Sequence, residues 1–301
     1  MRFEMIVHEV QRCENNSDKY FVYVGFMRIL DGQITMKTTD QTGYSFSFDE
    51  LPERIISLVP SQTELLVDLG LEHKIAGITK FCVHPEYIRA NKEIVGGTKN
   101  PDISKIRKLK PDLIIGNKEE NRKEDIEILR KEFNVWLSDV NNLEDAIRMI
   151  TEVGRISGSL EKANKIAESI SEKFTHFNVA HLKNKKVVYL IWMNPFMVVG
   201  ANTFIDEMIS ISGMINVFGD KSRYPVTDAE EIKKLNPDLI LLSSEPFHFN
   251  EEMKKEIKAQ FRGISVLDVD GEMFSWYGSR LLKFPEYISS FQFPQNFIKK
   301  L

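Results

Sequence analysis

The chain has 301 residues, 42% of them hydrophobic and 28% charged, with a net charge of −4. It is long enough to bury two cores of ordinary domain size. No apolar run approaches the ~18 residues that a membrane span needs, so membrane insertion is not expected. No Lys/Arg cluster is laced with aromatics, which argues against nucleic acid as a partner. Cys13 and Cys82 match no metal or redox spacing, so a free buried thiol is expected at Cys82.

Residues 1–33 are set apart as an N-terminal extension. Met1 to Leu30 has neither the basic nor the apolar region of a secretory signal, so the sequence as encoded points to the cytoplasm. Met27 and Met36 are alternative starts. Glu9 to Lys19 is charge-rich and aperiodic, whereas Tyr20 to Gly25 has the composition of a strand. Ile34 to Phe48 alternates around Asp40-Gln-Thr-Gly43 and reads as a β-hairpin.

Arg54 to Val59 is a buried strand. Pro60-Ser61 turns it into a helix with Glu64 at capping-box spacing from Ser61 and Gly70 as the stop. A strand at Ile75–Thr79, a helix around Arg122–Phe133, a strand at Val135–Leu137 and a helix over Leu143–Ile156 follow. Ser159 is placed to cap the next helix. Its apolar positions Leu160, Ala163, Ala167, Ile170, Phe174 and Phe177 keep a 3–4 spacing without Gly or Pro, predicting a long helix over about 159–181. Lys186–Trp192 is a strand turned by Asn194-Pro195. Beyond it come a helix from Thr203 to near Gly213, a helix near Glu251–Ala259, a strand at Ile264–Val269 and a last helix from about Ser279 to Ser290.

Ile103 to Ile115 returns 126 residues later as Ala229 to Leu241, with Ile106/Ile232, Lys108/Lys234, Leu109/Leu235 and the Pro-Asp-Leu run at 111–113 and 237–239 identical in register. That period is too long for a solenoid and suits two similar lobes. In each copy a helix ends before a proline and an apolar run reads as a buried parallel strand. The fold class is therefore α/β: two Rossmann-like lobes with parallel sheets joined by a single long spine helix. The boundaries are 34–154 for the first lobe, 155–182 for the spine and 183–301 for the second.

Arg54-Ile-Ile-Ser-Leu-Val-Pro-Ser-Gln-Thr-Glu64, Val95 to Pro101, Lys118-Glu-Glu-Asn121 and Asp270 to Arg280 occur in the order found in one family. On these strings the chain resembles the cobalamin-binding members of the helical-backbone substrate-binding proteins, which serve ABC importers of cobalamin, haem and iron-siderophores. The resemblance covers about Ile34 to Phe291. It implies two α/β lobes, one linking helix and a ligand cleft between lobes that barely hinge. It also implies one permease-docking glutamate on each lobe: Glu230 fills that place in the second, and Ser104 stands at it in the first. Ser104 and the missing signal together predict a role that does not depend on an ABC permease. A monomer is expected.

Ligands in α/β sheets sit outside the carboxyl ends of the strands. That rule and the resemblance select Ser61, Gln62, Phe81, His84, Thr98, Lys99, Asn117, Glu120 and Asn121 in the first lobe. In the second they select Trp192, Asn194, Arg223, Tyr224, Phe247, Trp276, Tyr277 and Arg280. Aromatic faces with a few amide or charged groups suit a corrin ring. Phe81 stands where the cobalamin receptors use an aromatic wall. Trp276 and Tyr277, near Gly278 and flanked by polar residues, are poor core candidates and are placed at the cleft mouth. For Trp192, core burial and ligand contact are both open. His84 is a metal ligand or a hydrogen-bonding loop residue, and Arg280 reaches an anionic group or caps locally.

No nucleophile elbow, phosphate loop, dinucleotide fingerprint or zincin motif occurs. The expectation is a non-enzymatic small-molecule binder, with no catalytic residues, no structural metal and no cofactor other than the bound ligand, a cobalamin-like corrinoid. The alternatives are an iron-siderophore or haem and, from another class, a cytoplasmic metal-dependent enzyme using His84 with Glu119 or Glu120.

Overall fold

In a computed structural model the described residues are 33–291, with the strands at 5–7 and 27–30. The expectations for Cys13 and for Tyr20–Gly25 lie outside them. An antiparallel sheet in the order β1-β2-β3-β4 comprises β1 (Met5–Val7), β2 (Met27–Leu30), β3 (Gln33–Thr39) and β4 (Ser45–Phe48). The β3–β4 hairpin turns where expected. The carboxylate of Asp40 accepts from the backbone N–H groups of Thr42 and Tyr44, each at 2.9 Å, and fixes the turn.

The chain folds as two compact units, residues 1–139 with 149–164 and residues 140–148 with 165–301. In the first unit the elements run β5 (Ile55–Ser57), α1 (Pro60–Asp68), β6 (Ile75–Ile78), α2 (Ile88–Asn91), β7 (Glu93–Ile94), α3 (Ile103–Leu109), β8 (Leu113–Asn117), α4 (Lys123–Arg130) and β9 (Val135–Ser138). Their sheet is wholly parallel, in the order β7-β6-β5-β8-β9. The inner strands are apolar up to the polar last residues Ser57, Asn117 and Ser138, because helices cover both faces of such a sheet, and Ile56, Leu58, Val95, Ile106, Ile114, Ile126 and Leu137 form one buried cluster. Ser61 does not cap α1. Pro60 occupies the first helical turn after Val59, and no side chain caps that end.

The helix expected over 143–156 is α5 (Leu143–Ser157), and the predicted linking segment, 155–182, holds its last residues and α6 (Leu160–Thr175). Gly158, at φ 84°, ends the first. The hydroxyl of Ser159 donates to the carbonyl of Leu69 at 2.9 Å. α6 is uninterrupted but stops at Thr175, short of the expected 181. Each helix is divided between the units, α5 after Arg148 and α6 after Asn164.

The second unit continues with β10 (Lys186–Trp192), β11 (Phe196–Val198), α7 (Phe204–Ile211), β12 (Ile215–Asn216), β13 (Val226–Thr227), α8 (Ala229–Lys234), β14 (Leu239–Ser243), α9 (Glu251–Gln260), β15 (Ser265–Val269), α10 (Gly271–Ser275) and α11 (Phe284–Ser289). Here the sheet is mixed, in the order β13-β11-β10-β14-β15 with β12 also on β10. β10, β12, β14 and β15 are parallel, and β11 runs antiparallel to β10 and to β13. The single helix expected over 279–290 is a 3₁₀ turn, Ser279–Lys283, followed by the six residues of α11, whose start is set by Pro285. Among the described residues no helix is long and apolar enough to cross a membrane.

The repeat now has a physical explanation. Asp102 and Asp228 cap α3 and α8, accepting from the N–H groups of Lys105 and Glu231. Lys110 and Asn236 end the two helical segments with φ of 47° and 50°. The carboxylates of Asp112 and Asp238 then accept from the backbone N–H groups of Arg54 (2.8 Å) and Lys186 (2.9 Å), pinning the start of β8 to β5 and of β14 to β10. The shared Pro-Asp-Leu thus closes a helix and registers a strand in both units.

Candidate functional site

Each unit's sheet ends in loops at the carboxyl edge of its parallel strands. In the first unit the polar residues selected there are largely spent on the framework. Gln62 and Asn117 both donate to the hydroxyl of Ser138, at 2.6 and 2.9 Å. The Asn117 side-chain oxygen accepts from the N–H groups of Glu119 and Glu120, at 2.8 and 3.0 Å. That of Asn121 accepts from the N–H of Asn117 at 2.8 Å, while its nitrogen donates to the carbonyl of Thr98 at 3.0 Å. Ser61, Gln62, Asn117 and Asn121 are buried. Ser61 Oγ and Gln62 Oε1 carry no hydrogen-bond partner.

Phe81 differs: it is 49% exposed just beyond β6. Its ring lies over Gly97, where an added Cβ would come within 3.2 Å of the ring and 2.5 Å of Asn100 Oδ1, so the close approach depends on glycine. Lys80 Nζ stands 5.0 Å from the ring centroid. Exposed Lys99 donates to the carbonyl of Glu119 at 2.5 Å, and Arg89 reaches the carbonyl of Lys80 at 3.5 Å. Phe81 thus presents an aromatic surface with the Lys80 cation beside it. Lys80 and Arg89 were not selected from the sequence, although Lys80-Phe81 adjoins a strand end. His84, Thr98 and Glu120 are half-buried in the same loops. Cys82 is a buried thiol, as expected. It lies 3.1 Å from Thr63 Oγ1 and 3.3 Å from Thr79 Oγ1, and burial pushes its pKa up.

In the second unit Trp192, 41% exposed, ends β10 with its ring 4.6 Å from that of Phe247, which in turn meets Phe249 edge-on at 4.9 Å. This aromatic platform is backed by buried Phe249. Asn194 is exposed at the turn after β10. Arg223 donates to the carbonyl of Asn202 at 2.8 Å, with its guanidinium 5.6 Å from the Tyr224 ring.

Trp276 and Tyr277 are packed, not placed at a rim: they are 7% and 6% exposed. Tyr277 meets Phe204 edge-on at 5.8 Å. The Trp276 indole N–H donates to Glu245 Oε1 at 3.1 Å, and the Arg280 guanidinium sits 4.7 Å from its ring. Arg280 pairs with Glu272 at 3.0 Å, so its charge is answered locally. Glu245 lies in a loop that the strand-end rule selects, yet no role is assigned to it from sequence, because its partners Ser275 and Trp276 are distant along the chain. Burial pushes the Glu245 carboxyl above its ordinary value, against the opposing hydrogen bond from Ser275.

Ser104 and Glu230 occupy matching exposed positions in the first turns of α3 and α8, and Glu230 is paired with Lys233 at 3.0 Å. Among the described residues no group of three or more His, Cys, Asp or Glu side chains could hold a metal ion.

The family model described as periplasmic binding protein matches residues 55–264. The chain belongs to this family. Among curated relatives of this periplasmic binding protein, an uncharacterized ABC transporter substrate-binding lipoprotein of Bacillus subtilis, YvrC, is 23% identical over 272 residues, covering 86% of this chain and 85% of its own. The vitamin B12-binding protein of Vibrio cholerae is 26% identical over 195 residues, 64% of this chain and 70% of its own. Among solved structures, the periplasmic vitamin B12 binding protein BtuF of Vibrio cholerae has a TM-score of 0.68 at 24% identity, covering 79% of this chain and 96% of that one. The periplasmic heme-binding protein RhuT of Roseiflexus sp. RS-1 has a TM-score of 0.66 at 18% identity, covering 79% and 98%. These structural likenesses show the shared two-lobe α/β fold.

Proposed function

We propose that this periplasmic binding protein binds a corrinoid reversibly, without turnover, through the strand-end residues of its two units. The observation that carries the reading is the placing of exposed aromatics there: Phe81 at 49% exposure in the first unit and Trp192, packed on Phe247, in the second. Large apolar rings left in water at the edge of a parallel sheet suit a flat macrocycle, whose faces stack on aromatics while its amide rim takes hydrogen bonds. The vitamin B12-binding relatives point the same way. Ligand contact is assigned first to Phe81, Lys99, Trp192, Asn194 and Phe247. Gln62, Asn117 and Asn121 support the loops that present them. The chemistry requires no catalytic group or resident cofactor.

Anionic tetrapyrroles and ferric chelates form the second reading. Lys80 beside Phe81 favours it, since a cation beside an aromatic ring would meet a carboxylate of the ligand. The metal-dependent enzyme built on His84 and Glu119 or Glu120 has no such supporting cluster. Titrating the purified protein with cobalamin, haemin and a ferric siderophore, followed by visible absorbance, separates these readings. Saturable binding of haemin or the siderophore with none of cobalamin overturns the corrinoid assignment.

We retain independence from a permease as part of the proposal. Of the two positions at which the resemblance implies docking carboxylates, one in each unit, only Glu230 is acidic and it is already paired with Lys233, and exposed ion pairs are individually weak. Stable capture of a cognate ABC permease by the native protein would contradict this.

A further inference from the structure

The strand-end edge of the second unit contains a charged arrangement that ligand contact does not account for. Glu245 Oε1 accepts from Ser275 Oγ at 2.5 Å and from the Trp276 indole N–H at 3.1 Å. On the other side the Arg280 guanidinium stands 4.7 Å from the Trp276 ring and is tied to Glu272 at 3.0 Å. The indole is thus held by its edge and by its face, between groups of opposite charge. The loop carrying Glu245 is fixed in turn. Ser243 Oγ accepts from Tyr189 at 3.2 Å and donates to the Glu245 carbonyl at 2.6 Å. A Cβ at Gly271 would fall 2.6 Å from Glu245 Cγ and 2.5 Å from Ser243 Oγ, so only glycine lets the start of α10 close on this side chain.

We propose that Glu245 is a positioning residue for the binding site: its carboxylate, bonded to Ser275 and to the Trp276 indole, ties down the loop that presents Phe247, and protonation of Glu245 loosens that hold, so that ligand affinity follows pH. The ligand half of this inference rests on the corrinoid reading; the positioning half does not. An N–H bond to a carboxylate is charge-assisted and roughly twice as strong as one to a neutral acceptor, so one proton changes the restraint on the ring. Glu272, Asp270, Arg280, Tyr189 and Tyr287 are the charged or titratable groups around Glu245. Both tyrosines are pushed up by burial and stay neutral through the physiological range. Asp270 and Glu272 are therefore the competing acids. Asp270 Oδ1 is engaged with the N–H of Glu272 at 3.0 Å and Glu272 with Arg280.

Indole ¹H–¹⁵N resonances test the positioning directly. The chain has 3 tryptophans, and the resonance lost in Trp276→Phe identifies Trp276. Between pH 4 and 8, values set by the experimenter around the ordinary glutamate pKa of ~4.3, the Trp276 resonance of the parent should titrate with a midpoint above that value. It should be flat in Glu245→Gln, which keeps an acceptor of the same shape, and should still titrate in Glu272→Gln and Asp270→Asn. A parent resonance that does not move, or one that titrates equally in Glu245→Gln, overturns the proposal. Cobalamin affinity measured over the same range should fall at least about threefold toward low pH in the parent and stay level in Glu245→Gln. An equal fall in both proteins refutes the coupling. Absence of cobalamin binding at every pH overturns the corrinoid reading and the coupling together, while the indole titration still decides whether Glu245 positions Trp276.

Discussion

Phe81→Ala separates binding from folding more cleanly than any other change in the chain. The ring is 49% exposed, so about half of it is already buried over Gly97 and half remains for a ligand. Full burial of a phenylalanine contributes up to about 3 kcal/mol, which leaves about 1–1.5 kcal/mol of apolar contact for the ligand. Stacking geometry adds about 0.5–1.5 kcal/mol. The sum, about 1.5–3 kcal/mol, corresponds to at least about tenfold in affinity. Removal of the buried half costs the fold a similar 1–1.5 kcal/mol, which urea unfolding would register as a shifted midpoint with an unchanged slope. Absorbance titration of parent and variant with cobalamin at one pH gives the affinity ratio. A variant that binds cobalamin like the parent would show that Phe81 faces solvent without meeting the ligand, and the first unit's contact residues would have to be sought elsewhere.

Trp276→Ala is expected to fail differently, lowering stability as well as affinity, because it leaves Glu245 and Arg280 without the ring between them; thermal melts beside Phe81→Ala show the contrast, and equal melting temperatures would count against it. Asp112→Ala should cost about 1–2 kcal/mol and Asp238→Ala about 1 kcal/mol, since Asp112 Oδ2 accepts from Glu53 and Arg54 N–H groups whereas Asp238 holds Lys186; chemical denaturation giving no loss for either would remove the structural reason for the repeat. Because the Glu245 carboxyl is raised, the native state keeps its proton longer than the unfolded chain. Its contribution is complete below the unfolded glutamate value and is lost as pH rises through the folded value. Glu245→Gln should therefore flatten the fall of melting temperature in that window, and identical pH profiles for the two proteins would contradict the assignment.

The α/β class was legible because the buried parallel strands are mostly continuous apolar runs and because the two copies of the repeat share caps, closing prolines and registering aspartates. Strands of two or three residues, such as β12 and β13, were not, since they are too short to show a period. Nor was α10, five residues long. The strand-end rule selects loops that do lie at the carboxyl edges of the strands, but it cannot tell an amide aimed at a ligand from one donating to Ser138, a choice made by residues far along the chain. Trp276 and Tyr277 look exposed beside Gly278 and polar neighbours. Glu245, Arg280 and Phe204 bury them, and only tertiary structure brings Glu245 and Phe204 there. Lys80 and Arg89 escaped notice because a cation near a strand end is usually just a solvated side chain.

Equilibrium titration of the purified full-length protein with cobalamin, read by the corrin absorbance bands and repeated with haemin, tests the central claim most directly. The account predicts saturable one-to-one binding of cobalamin that is released unchanged on dialysis. Saturation by haemin with no response to cobalamin, or recovery of a chemically altered corrinoid, would contradict it.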